Sequence, residues 1–210
     1  MTGNATSIGS LAALRKMVRR VPATEAARCE LCSGRLGPDH PHLLALGQRN
    51  VVCACDACAL LFSSQEAPRY RRIPRRVRVL RDFALDDQEW ASLLIPINLA
   101  FFLHSSAAQR VLAFYPSPGG IVESLLDLEY WEAIESRNPV LKRMEADVEA
   151  LLVNRVSAPA EYYIAPVDHC YHLVGLMRKH WRGLSGGPEV WKQIDGFFRA
   201  LKASTGVRLA

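Results

Sequence analysis

Two short cysteine pairs constrain the fold of this chain more than any other feature. Cys29 and Cys32 form one C-x-x-C motif, and Cys55 and Cys58 form a second. A two-residue gap lets both thiolates of a pair point at one ion, and two such pairs complete a tetrahedral four-sulfur site. A segment this short rarely folds without a staple, and a bound metal could supply on the order of 10 kcal/mol at neutral pH.

The residues between the pairs predict a small sheet. His42–Leu46 is an apolar, strand-like run, Gly47–Asn50 has the residues of a turn, and Asn50–Cys53 is a second short strand. The order of knuckle, strand, turn, strand and knuckle is typical of a zinc ribbon, so we expect a zinc-ribbon-like module over residues 28–62. Four thiolates leave no open position on the ion, so the predicted site is structural. The expected ligands are Cys29, Cys32, Cys55 and Cys58.

A fifth thiol and two histidines leave one ambiguity in this ligand set. Cys53 is the alternative to Cys55, but Cys55 completes a pair with Cys58 and is preferred. Cys53 is then predicted to be a small buried residue that points away from the side of Val52 on the second strand. His40 and His42 are predicted to be loop histidines beside Pro41, with a supporting role behind the ligands left open.

The same geometry suits either zinc or iron. Rubredoxin-like iron sites usually carry glycine directly after the second cysteine of each pair, whereas this chain has Ser33 and Ala59 there. The module also lacks an aromatic cluster around the site. The sequence therefore favours Zn²⁺, with iron as the alternative.

The remainder of the chain predicts an α+β protein with a mainly antiparallel sheet, C-terminal helices and the helices packed on one face of the sheet. Residues 1–27 are expected to hold a disordered start and a basic helix, and residues 69–204 the α+β domain. The predicted elements of that domain are a strand from Ile73 to Phe83, a helix capped by Asp86 or Asp87, a hairpin over residues 95–115, a Pro116–Gly120 loop leading into a helical segment, a helix over Leu128–Ser136, a helix from Leu141 to Val153, a strand over Glu161–Pro166, and two final helices that begin at Asp168 and Pro188.

Charge is unevenly distributed along the chain, whose net charge is +5. Residues 121–150 hold eight acidic against three basic residues, whereas a preceding basic segment contains seven arginines and no acid. Such a charge-segregated surface favours docking on a protein, with nucleic acid as the alternative partner. Tyr70 is the single aromatic residue within this segment, which argues against a base-stacking surface. The candidate partner-binding residues are Arg69, Arg71, Arg72, Arg75, Arg76 and Arg78, and Arg81 ends the segment.

No arrangement of residues predicts catalysis. Cys170 lies between two histidines, but it shares an apolar helix face with Val174 and Met177 and is interpreted as a core thiol. Asp168 is interpreted as the N-cap of that helix. The longest apolar run, Leu93–Leu103, is too short to span a membrane, and the N-terminus lacks a signal-peptide pattern. We therefore expect a non-catalytic cytoplasmic protein.

Several motifs along the chain resemble one family. They are Cys29–Cys32, Cys53–Phe62, Phe114–Gly120 with Glu123–Leu126, Ala150–Arg155, and Leu173–Gly175 with Trp181–Gly187. Over residues 28–202 the chain resembles an uncharacterised, chiefly actinobacterial family of unknown function whose genes neighbour those of high-affinity uptake NiFe-hydrogenases. The resemblance implies an accessory role, with a hydrogenase subunit or maturation factor as partner. The alternatives are a rubredoxin-like electron-transfer protein and a nucleic-acid-binding regulator.

Overall fold

The computed structural model describes residues 27–65, 68–124, 128–183 and 185–205. The predicted N-terminal basic helix lies outside these ranges. The described chain is a mixed α+β structure with antiparallel sheets and C-terminal helices, which confirms the predicted fold class. Within the same ranges, no helix combines the length and the apolar composition needed to cross a membrane.

A small three-stranded sheet follows the first cysteine pair. Strands β1 (His42–Ala45) and β2 (Asn50–Cys53) form the predicted hairpin, and β3 (Tyr70–Arg72) pairs with the other side of β1. Both pairings are antiparallel. Helix α1 (Asp56–Ser63) begins directly after the hairpin and carries Cys58. We call residues 28–72 the cysteine module.

A second sheet of six strands forms the body of the protein, and each of its pairings is antiparallel. Its strands lie in the order β4-β9-β8-β5-β6-β7. The strands are β4 (Arg78–Val79), β5 (Leu99–Ser105), β6 (Arg110–Ser117), β7 (Gly120–Ser124), β8 (Glu149–Asn154) and β9 (Glu161–Pro166).

Helices cover both faces of this sheet, whereas the sequence predicted helices on one face. They are α2 (Asp87–Ser92), α3 (Leu128–Arg137), α4 (Val167–His180) and α5 (Gly187–Ser204), with a short 3₁₀ helix over Pro139–Arg143. Because side chains alternate along a strand, Phe101 packs towards the face of α4 and α5, and Phe102 packs on Trp131 of α3 at the opposite face. Leu44 of the cysteine module joins the first of these cores.

The predicted strand from Ile73 to Phe83 is wrong, because the segment divides between the two sheets. β3 ends at Arg72 and belongs to the cysteine module, while β4 begins at Arg78 and pairs with β9. Pro74 lies between them and has no N–H to donate to a ladder. Ile73 and Val77 are both buried in the core that also contains Leu44 of the cysteine module. Their apolar pattern therefore reflects burial where the chain passes from one sheet to the other.

The predicted helix from Leu141 to Val153 is also wrong. Leu141 lies in the 3₁₀ helix, and Leu151 lies on β8. Every residue of β8 is buried, so this central strand has no alternation of apolar and polar residues to reveal it. The helical spacing of Leu141, Met144, Val148 and Leu151 was therefore a coincidence across two elements.

The Pro116–Gly120 segment is a tight turn between two strands, and a strand directly follows it where the sequence predicted a helical segment. β6 ends at Ser117 and β7 begins at Gly120, whose φ of 128° favours glycine. The Ser117 hydroxyl donates to the Gly120 carbonyl over 2.9 Å. The Ser117 hydroxyl is therefore already used as a hydrogen-bond donor within the turn.

Candidate metal centre

The first cysteine pair sits on a turn in which the chain folds back on itself. The Cys29 N–H donates to the Gly34 carbonyl over 2.8 Å, and the Ser33 N–H donates to the Cys29 carbonyl over 2.7 Å. Ser33 has a φ of 62°, in the left-handed region where glycine is the easier residue. This turn places Cys29 and Cys32 on the same side of the loop.

The second cysteine pair lies at the start of a helix, which differs from the second knuckle that the sequence predicted. Cys55 is the N-cap of α1, and its sulfur accepts a hydrogen bond from the Cys58 N–H over 3.5 Å. The start of α1 therefore brings the sulfurs of Cys55 and Cys58 to the same end of the helix.

The four sulfurs converge. The Sγ atoms of Cys29, Cys32, Cys55 and Cys58 all lie within 4.8 Å of one another. The Cys32 and Cys55 sulfurs are 3.7 Å apart, which compares with about 3.8 Å for the edge of a tetrahedron built with zinc–sulfur bonds of about 2.3 Å. All the cysteines of residues 29–170 are free thiols. The cluster could hold a metal ion, and its four sulfurs would close the coordination shell.

The pKa values of Cys29 and Cys58 are shifted in opposite directions. Burial opposes ionisation of Cys29, but backbone hydrogen bonds from Cys55 and neighbouring residues outweigh it and lower the pKa of Cys29 from 9.0 to about 6. Burial and the adjacent sulfurs raise the pKa of Cys58 to about 12. Without an ion, four thiolates repel one another, so a cation that neutralises them must displace protons when it binds.

Cys53 is not one of these four converging sulfurs. It ends β2, directly across the hairpin from His42, and its thiol groups with His40 and His42. The residue is half-buried, whereas the sequence predicted a buried one. His42 begins β1, as the strand-like run from His42 predicted, so it is not the loop histidine that its place beside Pro41 suggested.

Cys170 is a core thiol, as predicted. It is fully buried on α4 beside Val174 and Met177, and burial raises its pKa. Asp168 is not the N-cap of this helix, because Pro166 occupies that position. The Asp168 carboxylate instead accepts a hydrogen bond from His42 over 2.7 Å.

Three of the candidate partner-binding arginines have partners inside the protein. Arg71 lies 3.6 Å from the buried carboxylate of Asp147, and Arg78 lies 3.1 Å from that of Glu149. These contacts tie the cysteine module and β4 to the segment that precedes and begins β8. Arg75 likewise donates to the carbonyl of Asp39.

The other three candidates lie at the surface. Arg69, Arg72 and Arg76 are exposed, and among the described residues none of them has an acidic partner within ion-pair distance. The structure therefore divides the six candidates into three with partners inside the protein and three exposed arginines without an acidic partner among the described residues.

Sequence reasoning missed the contact between His42 and Asp168. The two residues are 126 positions apart, and nothing local in the sequence links them. The period-2 alternation of β1 was the available signal: it places His42 and Leu44 on the same face of the hairpin, and Leu44 packs into the core of the six-stranded sheet.

Comparison with known proteins identifies a family for this chain. A family model described as a family of unknown function, DUF5947, covers residues 28–205. Nothing matches among curated proteins or among solved structures. Because the matched segment is well over half of the chain, this protein belongs to the DUF5947 family.

Proposed function

We propose that this protein is a zinc-stabilised, non-catalytic docking protein. The observation that carries the proposal is the convergence of Cys29, Cys32, Cys55 and Cys58, whose four thiolates would leave a bound ion no position for substrate or water. An ion held in this way organises the fold around it. The role of the metal is then to hold a surface in shape.

Helix α1 supplies the apolar part of that surface. Leu60 and Leu61 are 67% and 64% exposed, although the preceding residues Cys58 and Ala59 are buried. Two adjacent exposed leucines next to a metal ligand are a reasonable centre for a protein contact. Since Cys55 and Cys58 form the start of α1, metal binding would position both leucines.

The exposed arginines supply the charged part. β3 is an edge strand of the three-stranded sheet, and Arg72 lies on it, with Arg69 just before it and Arg76 shortly after. A partner that fits would combine an apolar pocket with an acidic rim. The family resemblance implies that this partner is a NiFe-hydrogenase subunit or maturation factor.

Metal analysis tests the identity of the ion. Protein purified without added metal should be colourless and contain zinc at the four-cysteine site. A red protein with thiolate-to-iron absorption would replace this proposal with rubredoxin-like electron transfer, since iron suits the same four-sulfur geometry.

A binding assay tests the surface. Purified hydrogenase subunits and maturation factors are titrated against the wild type, the Leu60→Ser/Leu61→Ser double variant and a Leu94→Ser control. Leu94 is 77% exposed but follows α2, outside the cysteine module. We expect at least a tenfold loss of affinity for the double variant and none for the control. Equal affinity of all three proteins, or no binding by the wild type, would refute docking through α1.

Nucleic-acid binding remains the alternative function for Arg69, Arg72 and Arg76. A gel shift whose midpoint weakens steeply with salt, and which Arg72→Glu abolishes, would favour it over protein docking. With three exposed arginines as the candidate phosphate contacts, we expect no shift at physiological salt.

A further inference from the structure

A second group of metal-binding side chains lies in the cysteine module, apart from the four-cysteine cluster. A ring nitrogen of His40, a ring nitrogen of His42 and the thiol of Cys53 lie within 4.8 Å of one another. The two imidazoles meet edge to face, with ring centroids 5.1 Å apart. His42 and Cys53 face each other across the β1–β2 hairpin, so the strand pairing itself holds two of the three groups.

Both histidines already have the outer hydrogen bond that metal-bound histidines usually have. His40 Nδ1 lies 2.8 Å from the Gly37 carbonyl, and His42 Nδ1 lies 2.7 Å from Oδ2 of Asp168. A carbonyl and a carboxylate only accept hydrogen bonds, so each Nδ1 carries the proton. In the neutral rings the lone pair is then on Nε2, and the outer partner fixes the ring orientation.

One of these nitrogens is buried without a partner. His40 Nε2 is shielded from solvent and makes no hydrogen bond within the described part of the chain. Leaving a buried polar atom unsatisfied costs about 1–3 kcal/mol, so such an atom needs an explanation. A bound cation that takes His40 Nε2 as a ligand would satisfy it.

The two clusters use different ligand atoms, and strand alternation turns His42 away from the four-cysteine site. Leu43 and Val52 are opposite each other and pack in the small core that contains Cys29 and Cys58. His42 belongs to the next pair along and points with Leu44 to the other face of the hairpin, whereas its partner Cys53, at the end of β2, also contacts the small core. That face packs against the six-stranded domain, from which Asp168 reaches His42.

We propose that His40, His42 and Cys53 form a second metal site for a late first-row divalent ion such as Zn²⁺ or Co²⁺. Two imidazoles and one thiolate suit borderline metal ions and do not suit Ca²⁺ or Mg²⁺. Three protein ligands leave one tetrahedral position open for water or for a donor atom from another molecule. This site therefore has one open position, whereas the four-cysteine site is closed. Asp168 is a positioning residue, because it acts through His42.

Metal stoichiometry of the full chain tests the proposal. Metal-free protein is loaded with one equivalent of Zn²⁺ to fill the four-cysteine site and is then titrated with Co²⁺, which reports a bound thiolate by its absorption. We expect one further equivalent of Co²⁺ with a single-thiolate spectrum in the wild type. Cys53→Ser and His42→Ala should lose this equivalent, and Cys170→Ala, which removes a buried thiol elsewhere, should retain it.

The positioning residue gives a second readout that does not depend on removing a ligand. Asp168→Asn should keep the stoichiometry but weaken the affinity for the second ion about 10- to 100-fold. A titration of each variant with Co²⁺ alone shows the four-thiolate spectrum first, and this spectrum verifies that the module is folded. A wild type that binds one equivalent in total, or a Cys53→Ser variant that still binds two, would overturn the second site and leave the four-cysteine site standing.

Discussion

The cysteine module and the six-stranded domain are stabilised in different ways. The buried core of the module consists of Cys29, Leu36, Leu43, Val52, Ala54, Cys58 and Ala59, so two of its few members are proposed metal ligands. The six-stranded sheet has a large apolar core on each face. A short segment cannot bury enough surface to offset its loss of conformational entropy, whereas a larger domain can. The metal in the module therefore has the role that side-chain packing has in the domain.

Removal of a metal ligand should show this difference between the module and the domain most clearly. Cys29→Ser should abolish metal binding at the four-cysteine site, which removes on the order of 10 kcal/mol of binding free energy from the module. Limited proteolysis and amide exchange should show the module opening while the sheet from β4 to β9 stays protected. Global unfolding of the variant at the same denaturant concentration as module opening would show instead that the two parts are one cooperative unit.

Acidification should also release the metal, because protons compete with it for the cysteine ligands. The pKa of Cys29 lies at about 6, below its ordinary 9.0, so its thiolate stabilises the metal-free fold above pH 9 in full and loses this contribution as the pH falls through 6. Below about pH 6 protons compete with the metal for the Cys29 thiolate as well, and we expect zinc release to rise steeply there. A chelator assay across pH 4–8 measures the zinc release, and the helix content of the whole protein at each pH is the control.

A cavity in the core of the six-stranded domain should destabilise the domain and leave the metal site intact. Phe101 is buried on β5 and stacks on Phe114 with ring centroids 5.3 Å apart. Phe101→Ala should cost about 3–5 kcal/mol of unfolding free energy, measured by denaturant titration, and leave the zinc content unchanged. Loss of zinc in a variant that is still folded would mean that the module depends on the domain.

The same contrast explains how much of the structure was predictable from the sequence. The module was predicted well, because ligand spacing and turn residues are local signals. The hairpin from β1 to β2 and the convergence of the two cysteine pairs needed no knowledge of the rest of the fold.

The domain was predicted less well where burial hides the period. β8 is buried throughout and was mistaken for a helix, while β5 and β6 were found because a polar turn separates two apolar runs. Within the module, the start of α1 at Cys55 was missed, since a thiol as N-cap is not among the usual helix-start residues. Contacts between the two parts, such as Arg71 with Asp147, depend on packing that no local pattern encodes.

The arginine that pairs with a buried carboxylate inside the six-stranded domain should give an intermediate effect. Arg78→Ala leaves the buried Glu149 carboxylate without its ion-pair partner, which should cost about 1–3 kcal/mol. Arg72→Ala is the matched control on the exposed side of the same segment, and its effect should stay within about 0.5 kcal/mol. Thermal unfolding of both variants measures the difference. Equal destabilisation would show that the division into bound and exposed arginines is wrong.

The smallest effect concerns two helix caps of different chemistry. The Asp86 carboxylate caps α2 and accepts from the Glu89 N–H over 2.8 Å, as the Cys55 sulfur caps α1. The hydrogen bond from Glu89 lowers the pKa of Asp86, so this cap stabilises the fold above about pH 4 and loses its effect as the pH falls through the lowered value. Asp86→Ala should lower the melting temperature slightly at pH 7, and Asp86→Asn should restore most of it, because asparagine is an equally good cap.

Cys55→Ser should behave differently: serine also caps a helix, yet the variant should lose the metal and destabilise the module. If Cys55→Ser is as mild as Asp86→Asn, the sulfur of Cys55 serves only as a cap, and the four-cysteine centre is not what holds the module together.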